Sequence, residues 1–524
     1  MEKLYNNIVL PDEWPPKRDI FTTRVMEVPY LEQKPEVIDI TVGRQLFVDD
    51  FLIASSELKR VCHRPVKFEG NPIMRAETPL EKATLPCTCP KSGGVWYDKF
   101  KGKYCMWYEA GWLHRMAYAE SEDGLNWVRP ELDVVPGTNE IIPGVDADSS
   151  AVFIDYDTTD PSQRYKMFFR EPGGMMPGRA YVSADGIHWS EPTFTSPLQD
   201  RSTMFYNPFR RKWVYSIRHF PTDPKLRLRY YRECDDFLDG AVWDREDGTT
   251  EKVYWMRPDH LDKPDPYIQR TPELYNFDAV AYESIMLGMF QLHYGPENGD
   301  CKKYNVPKIT ELQACYSRDG FHFSRPDRKA FIPASRTEGN WDRGYVQSVG
   351  GLCTVHEDEI WFYYIGFAGG PGRSVMKDSN LTALHLNGMH DNSATGIAKL
   401  RRDGFASLEG SGSMMTERLT VAEGKNRLFI NAKTGEQGSL RAELLDAEGN
   451  PAPGFTLDDC IPFTGDSTRT ELCWKDGRLP TDEQLKTFRL RFTLENASFW
   501  AFWLSDNADG RSGGFDAAGS RTAI

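Results

Sequence analysis

A short phrase returns five times in this chain, and it limits the fold more than any other feature of the sequence. Its clearest copy is Tyr118-Ala119-Glu120-Ser121-Glu122-Asp123-Gly124-Leu125-Asn126-Trp127. It recurs as Tyr181 to Trp189 and Cys315 to Phe323, and more weakly from Tyr231 through Asp236 to Trp243 and from Leu400 to Phe405. The phrase has the chemistry of a hairpin corner: a strand ends in Ser-x-Asp-Gly, Asp caps the turn, Gly takes a positive φ, and an aromatic residue three positions on re-enters the core. Before each copy stand an apolar strand, a turn and an aromatic-rich strand. Repeats of about 40–50 residues that hold four strands each are the mark of a β-propeller, so five copies imply five blades. The Asp-to-Asp intervals run from 50 to 84 residues, which places insertions in the loops.

Composition agrees with an all-β chain. It has 34 Pro, 43 Gly and 13% aromatic residues, with almost no sustained helical periodicity. At 524 residues it has room for a large core and a second module. A net charge of −14 argues against nucleic acid or an anionic membrane as partner and makes a neutral or cationic ligand the natural expectation. The N-terminus lacks a basic head followed by an apolar run, and no stretch approaches 18 apolar residues, so a soluble, cytoplasmic protein is expected. The ten cysteines are scattered, with Cys87-x-Cys89 the closest pair, and suggest neither a zinc ribbon nor a disulfide framework. Oligomeric state is not legible.

Residues 1–44 are polar and Pro-rich and read as an extended arm. Residues 45–410 read as the five-bladed propeller, 411–505 as a β-sandwich with clean period-two strands such as Phe488-Arg489-Leu490-Arg491-Phe492, and 506–524 as a flexible tail. Aligning the five units shows a pattern that packing does not require. In four of them the first strand starts with an acid: Asp148, Asp200, Asp278 and Asp342. The second strand ends in a polar residue after an aromatic run: Glu109, Arg170 with Glu171, Arg218 with His219, and His293. In a propeller both kinds of position converge on one mouth of the central channel, so an acidic funnel edged with Arg, His and Trp is expected.

A five-bladed propeller with axial acids and a C-terminal β-sandwich resembles the glycoside hydrolase clan of families 32, 43 and 68. Leu428-Phe429-Ile430-Asn431 and Gly438-Ser439-Leu440-Arg441-Ala442-Glu443 look like the appended module of family 32, and Asn71-Pro72-Ile73-Met74 is similar to a phrase common in these propellers. The nucleophile, Arg-Asp-Pro and Glu-Cys phrases of family 32 are absent, so the chain looks like a divergent, family 32-like branch. The resemblance implies a glycosidase acting on a carbohydrate, for example a fructoside or arabinofuranoside.

Cleavage of a glycosidic bond needs one protonated carboxyl for the leaving oxygen and a second, ionised one as nucleophile or as base for water. Glu283, inside the apolar strand after Asp278-Ala279-Val280-Ala281-Tyr282, is the expected general acid, because desolvation there would hold its proton. Asp148 and Asp200 are the expected ionised partners, with Asp50 in reserve. Arg170, Arg218 and His293, together with Glu109, Glu171, Asp342 and Arg343, are expected to contact the sugar, and Trp112 to stack on it. No cofactor is required; an oxygen-rich axis has room for a structural Ca²⁺, though no ligand spacing demands one. Two rivals stay open. A glycoside phosphorylase similar to family 130, suggested by the corner from Ser317 to Phe323, would use Arg170, Arg201, Arg218 and Arg343 for phosphate. A non-catalytic sugar-binding propeller would keep the rim and need no acid.

Overall fold

The computed structural model describes residues 1–19, 21–218, 227–304, 306–370 and 388–522. Among them are five four-stranded antiparallel sheets and one nine-stranded sheet. Blade two is the simplest: Asp148–Ile154, Tyr165–Arg170, Met176–Ser183 and Thr193–Leu198 pair in sequence order. Blade three repeats the plan from Thr203–Asn207 to Val253–Met256. The first strands of blades two to five touch in turn, that of blade five touches Val95–Asp98 of blade one, and Ser92 bridges Ala151 of blade two, which makes these segments the walls of the axis. Blade five borrows its outermost strand, Val66–Lys67, from ahead of blade one, so the ring is closed by pairing the two ends of the propeller segment.

The repeated phrase makes the corner at the end of a blade's third strand. In the copies at Asp123, Asp185 and Asp319, the Ser hydroxyl accepts the Gly amide at 2.9 Å. The Asp carboxylate accepts two further amides at 2.8–2.9 Å, and Gly takes φ of +76°, +76° and +85°. The two weak copies also end third strands but are built differently. Asp236 accepts the Leu238 and Asp239 amides at 2.8 and 2.9 Å ahead of a 3-10 turn at Asp239–Ala241, and Asp403 itself takes φ +60° and turns its carboxylate into a buried ion network.

The nine-stranded sheet forms the β-sandwich. Its centre is the long antiparallel pair Arg427–Asp446 and Phe488–Ser505, flanked by Ala406–Thr416, with bulges that let the strands bend. Burial alternates in the first half of Phe488–Ser505 and is nearly continuous in the second. There Trp503 and its neighbours have partners on both faces, one being the Arg44 guanidinium 4.1 Å above the Trp503 ring. Residues 45–62, grouped with the propeller by sequence, pair into this sheet instead: Gln45–Leu46 with Phe502 and Ala501, and Ile53–Ser56 and Lys59–Cys62 with Ala406–Thr416. The C-terminal segment, expected to fray, is stitched into the propeller as far as Ser520. Phe515–Asp516 pairs with the end of Glu273–Glu283, Ala518 donates to the Cys353 carbonyl at 2.9 Å, and its side chain is fully buried. Its Gly, Ala and Ser content gave no hint of this, because the segment is held through its backbone. No helix among the described residues is long and apolar enough to cross a membrane.

Candidate active site

Antiparallel pairing places the start of each first strand beside the end of the second, so Asp148 faces Arg170 in register. Here the blades surround a cavity of about 450 Å³ at one mouth of the axis, a size suited to a small ligand. Among the described residues, six cationic side chains line it, Lys91, Arg170, Arg201, Arg218, Arg227 and Lys308, against two carboxylates, Asp148 and Asp200. The expected acidic funnel is therefore the reverse in charge, and the ligand preference drawn from the net charge of −14 does not apply to this cavity. Whole-chain charge is a sum over the surface, whereas the cavity's charge is set by a handful of strand-end positions. Backbone conformation marks the same mouth: Lys91, Ser149, Arg201 and Tyr345 have φ of +46°, +63°, +58° and +50°, each costing a non-glycine residue about 1–3 kcal/mol.

Asp148 lies between two cations, 3.2 Å from Lys91 Nζ and 3.4 Å from Arg170, and accepts the Ser149 hydroxyl at 2.8 Å. Burial raises its pKa, but Lys91, Arg170 and Ser149 outweigh burial and hold the carboxyl below its ordinary value. Lys91 also bonds Glu109 at 2.6 Å. Glu109 is fully buried behind the lysine, and burial pushes its carboxyl up in spite of that partner. Asp200 is paired with Arg218.

Tyr275 is one of the cavity groups that the sequence did not reveal. It lines the cavity at the start of blade four's first strand, next to a bulge between Leu274 and Asn276. Its hydroxyl is bonded to that of Tyr345, Lys308 Nζ donates to it at 3.5 Å, and the Arg227 guanidinium lies 4.9 Å from its ring centre. Burial would raise its pKa, but Lys308, Arg227, the Tyr345 hydroxyl and Arg218 bring it down to about 7. A tyrosine-absorbance titration of the native protein is expected to show one phenol ionising near pH 7, and Tyr275→Phe to remove that step. A titration with no phenol ionising below pH 9 would contradict the assignment. The sign of the linkage follows. The folded chain binds this proton less tightly than the unfolded one, so Tyr275 favours folding increasingly as pH rises from about 7 towards the ordinary tyrosine value, and this contribution is lost as pH falls through 7.

The cavity brings together Asp148, Asp200, Arg170, Arg218 and Trp112 of the expected residues, with Glu109 directly behind. Trp112 is not a free platform: its ring stacks on His390 at 4.4 Å and carries Lys91 Nζ 4.7 Å from its centre. His293 also stands behind the cavity, bonded to Glu273 at 3.2 Å; burial, against Glu273, lowers its pKa to about 4. The other residues lie elsewhere. Glu283 is eight residues along the strand from Tyr275, roughly 26 Å at 3.3 Å per residue, and sits against the sandwich. There it is 3.0 Å from Arg402 and 3.4 Å from Arg44, and accepts the Ser512 hydroxyl at 2.7 Å. The expected general acid thus reaches no part of the cavity, because it ends its strand where a mouth residue must begin one. Asp278 stays within the axis, bonded to Ser92 and Asn276 at 2.6 Å. Asp342 pairs with Lys67 at 2.6 Å, and Glu171 with Arg179. Arg343 is half-buried in the turn before blade five and does not line the cavity. His219 is outside the described residues.

Asp50 is exposed, paired with Arg60, on a second cavity of about 290 Å³ beside the N-terminal segment. On its wall Asp259 pairs with Arg325 and Arg328 at 2.7 and 2.9 Å. Among the described residues no group of three or more His, Cys, Asp or Glu side chains stands close enough to hold a metal ion.

No protein-family model and no curated protein matches the chain. Among solved structures, an N-acetylgalactosamine deacetylase from F. plautii in complex with blood group B trisaccharide is similar over 67% of this chain and 96% of its own, at 14% identity and a TM-score of 0.40. A glycosyl hydrolase from Bacteroides ovatus covers 68% of this chain and 96% of its own at 13% identity and 0.37. An exo-β-1,3-galactanase from Phanerochaete chrysosporium in complex with β-1,3-galactotriose covers 84% and 99% at 9% identity and 0.34. At these scores the likeness carries no inference about activity.

Proposed function

We propose that this protein is a carbohydrate-active enzyme that hydrolyses a glycosidic bond in the axial cavity. The observation that carries the reading is that two carboxylates, Asp148 and Asp200, and a phenol poised to titrate, Tyr275, open on one cavity at the axial mouth. Hydrolysis needs an ionised group to activate water or stabilise the developing cation, and a proton for the leaving oxygen. Asp148, kept ionised by Lys91 and Arg170, suits the first role. Tyr275, sharing a hydrogen bond with Tyr345, suits the second, since a proton donor works best with a pKa near the working pH. The sugar as substrate class comes from the resemblance that the sequence bears to families 32, 43 and 68.

Phosphorolysis is a second reading, favoured by the six cations against two carboxylates around the cavity. Phosphate would then replace water and fewer acids would be needed. Product release from fructosides, arabinofuranosides, neutral pyranosides and uronides, with and without inorganic phosphate, separates the readings. Free sugar released without phosphate is the expected result. Sugar phosphate formed only with phosphate selects phosphorolysis, and binding without turnover of any of these glycosides contradicts an enzyme.

A further inference from the structure

One of the cavity's cations, Arg201, has no ion-pair partner among the described residues. It is 3% exposed, and none of its three guanidinium nitrogens has a hydrogen-bond partner among those residues. Its backbone is held on both sides: the amide donates to Ser149 Oγ at 2.8 Å, and the carbonyl accepts from Arg229 at 2.5 Å. The side chain is thus fixed on the cavity wall with its donors unused. A buried arginine without an anion is costly, since the group has lost water and gained no partner. The carboxylates nearby are already engaged: Asp148 by Lys91 and Arg170, Asp200 by Arg218, and Glu273 by Arg227 and His293. The local excess of positive charge also reaches Arg229, where burial and then Arg201 lower the pKa to about 9.

We propose that the axial cavity is built to take an oxyanion presented with the sugar, and that Arg201 is its principal ligand. A carboxylate or phosphate group matches the fork of donors that a guanidinium offers, and Lys308 and Arg227 stand on the same wall to share its charge. Two sources supply that chemistry: the carboxylate of an acidic sugar, or free inorganic phosphate. The substrate class rests on the reading of the cavity as a sugar site; the anion site itself does not.

Calorimetric titration of the whole protein tests it, using inorganic phosphate alone, methyl glucuronide and methyl galacturonide, and the two neutral methyl glycosides as their twins. Binding of phosphate, or of a uronide but not its neutral twin, is expected, and each outcome names the source of the anion. Arg201→Gln should weaken that binding on the order of 30-fold or more. Arg201→Lys, which keeps the charge but not the fork, should weaken it less. Without ligand, Arg201→Gln should melt no lower than wild type, because the group removed had no partner; this separates lost binding from lost folding. The proposal is overturned if neither anion binds better than the neutral glycosides, or if Arg201→Gln binds the anion within twofold of wild type. Anion binding that depends on Arg201, with no glycoside turned over, keeps the oxyanion site and removes the enzyme. Phosphate-independent turnover of a neutral glycoside, with no anion binding, does the opposite.

Discussion

Asp148→Asn lowers kcat/KM on the glycoside substrate by about 10²- to 10⁴-fold, the range typical of a positioned acid–base group, without unfolding the chain. The amide keeps the shape of the carboxyl, and both cations that it leaves behind retain partners. Lys91 keeps Glu109 at 2.6 Å, and Arg170 keeps the carbonyls of Gly173 and Gly174 at 2.7 Å. What disappears is the ionised oxygen facing the cavity. The pH profile gives a second signature. In the wild type Asp148 stays ionised into acid, because Lys91 and Arg170 outweigh burial and hold its pKa low, and activity falls above about pH 7 as Tyr275 gives up its proton. Tyr275→Phe should flatten that alkaline limb, whereas Asp148→Asn should lower the whole curve. Wild-type activity that rises steadily through pH 7 to 10 would contradict a protonated Tyr275 as the donor.

Glu283→Ala is expected to cost about 3–5 kcal/mol of folding stability, the usual penalty for removing one partner of a buried ion pair. Glu283 is fully buried and serves three elements at once: Arg44 ahead of the sandwich strands, Arg402 at the end of blade five, and Ser512 in the C-terminal segment. Arg44 would keep Asp403 at 2.7 Å, but Arg402, 2% exposed, would lose its carboxylate partner. The denaturant midpoint measures this directly, and a change under 1 kcal/mol would mean that the network is not what joins the propeller to the sandwich.

The difference between Asp148 and Glu283 explains how far the sequence could be read. The corner phrase names its own geometry, since Ser, Asp and Gly each make a bond or take a backbone angle that few other residues provide, so the five blades and the all-β class were legible. The rule that first-strand starts meet second-strand ends brings Asp148, Asp200, Arg170 and Arg218 to one cavity, whereas Asp278, Asp342 and Glu171, chosen by the same rule, bond elsewhere. Choosing Glu283 broke that rule: an acid in an apolar strand is conspicuous, but it stands at the strand's far end. Tyr275 and Tyr345 hold mouth positions and were passed over because a tyrosine in an aromatic-rich strand looks like core. Lys91, in the Pro90–Gly94 break of blade one, and Lys308, just ahead of a third strand, carry no local motif. The N-terminal strands of the sandwich were hidden because their partners lie more than 300 residues away.

The most direct test of the axial cavity as the site compares Asp148→Asn with Glu283→Gln on one verified glycoside substrate, at a temperature where both variants are folded. The cavity account predicts that turnover collapses in Asp148→Asn and persists in Glu283→Gln. Turnover that survives in Asp148→Asn and vanishes in a folded Glu283→Gln would contradict it and move the chemistry to the face against the sandwich.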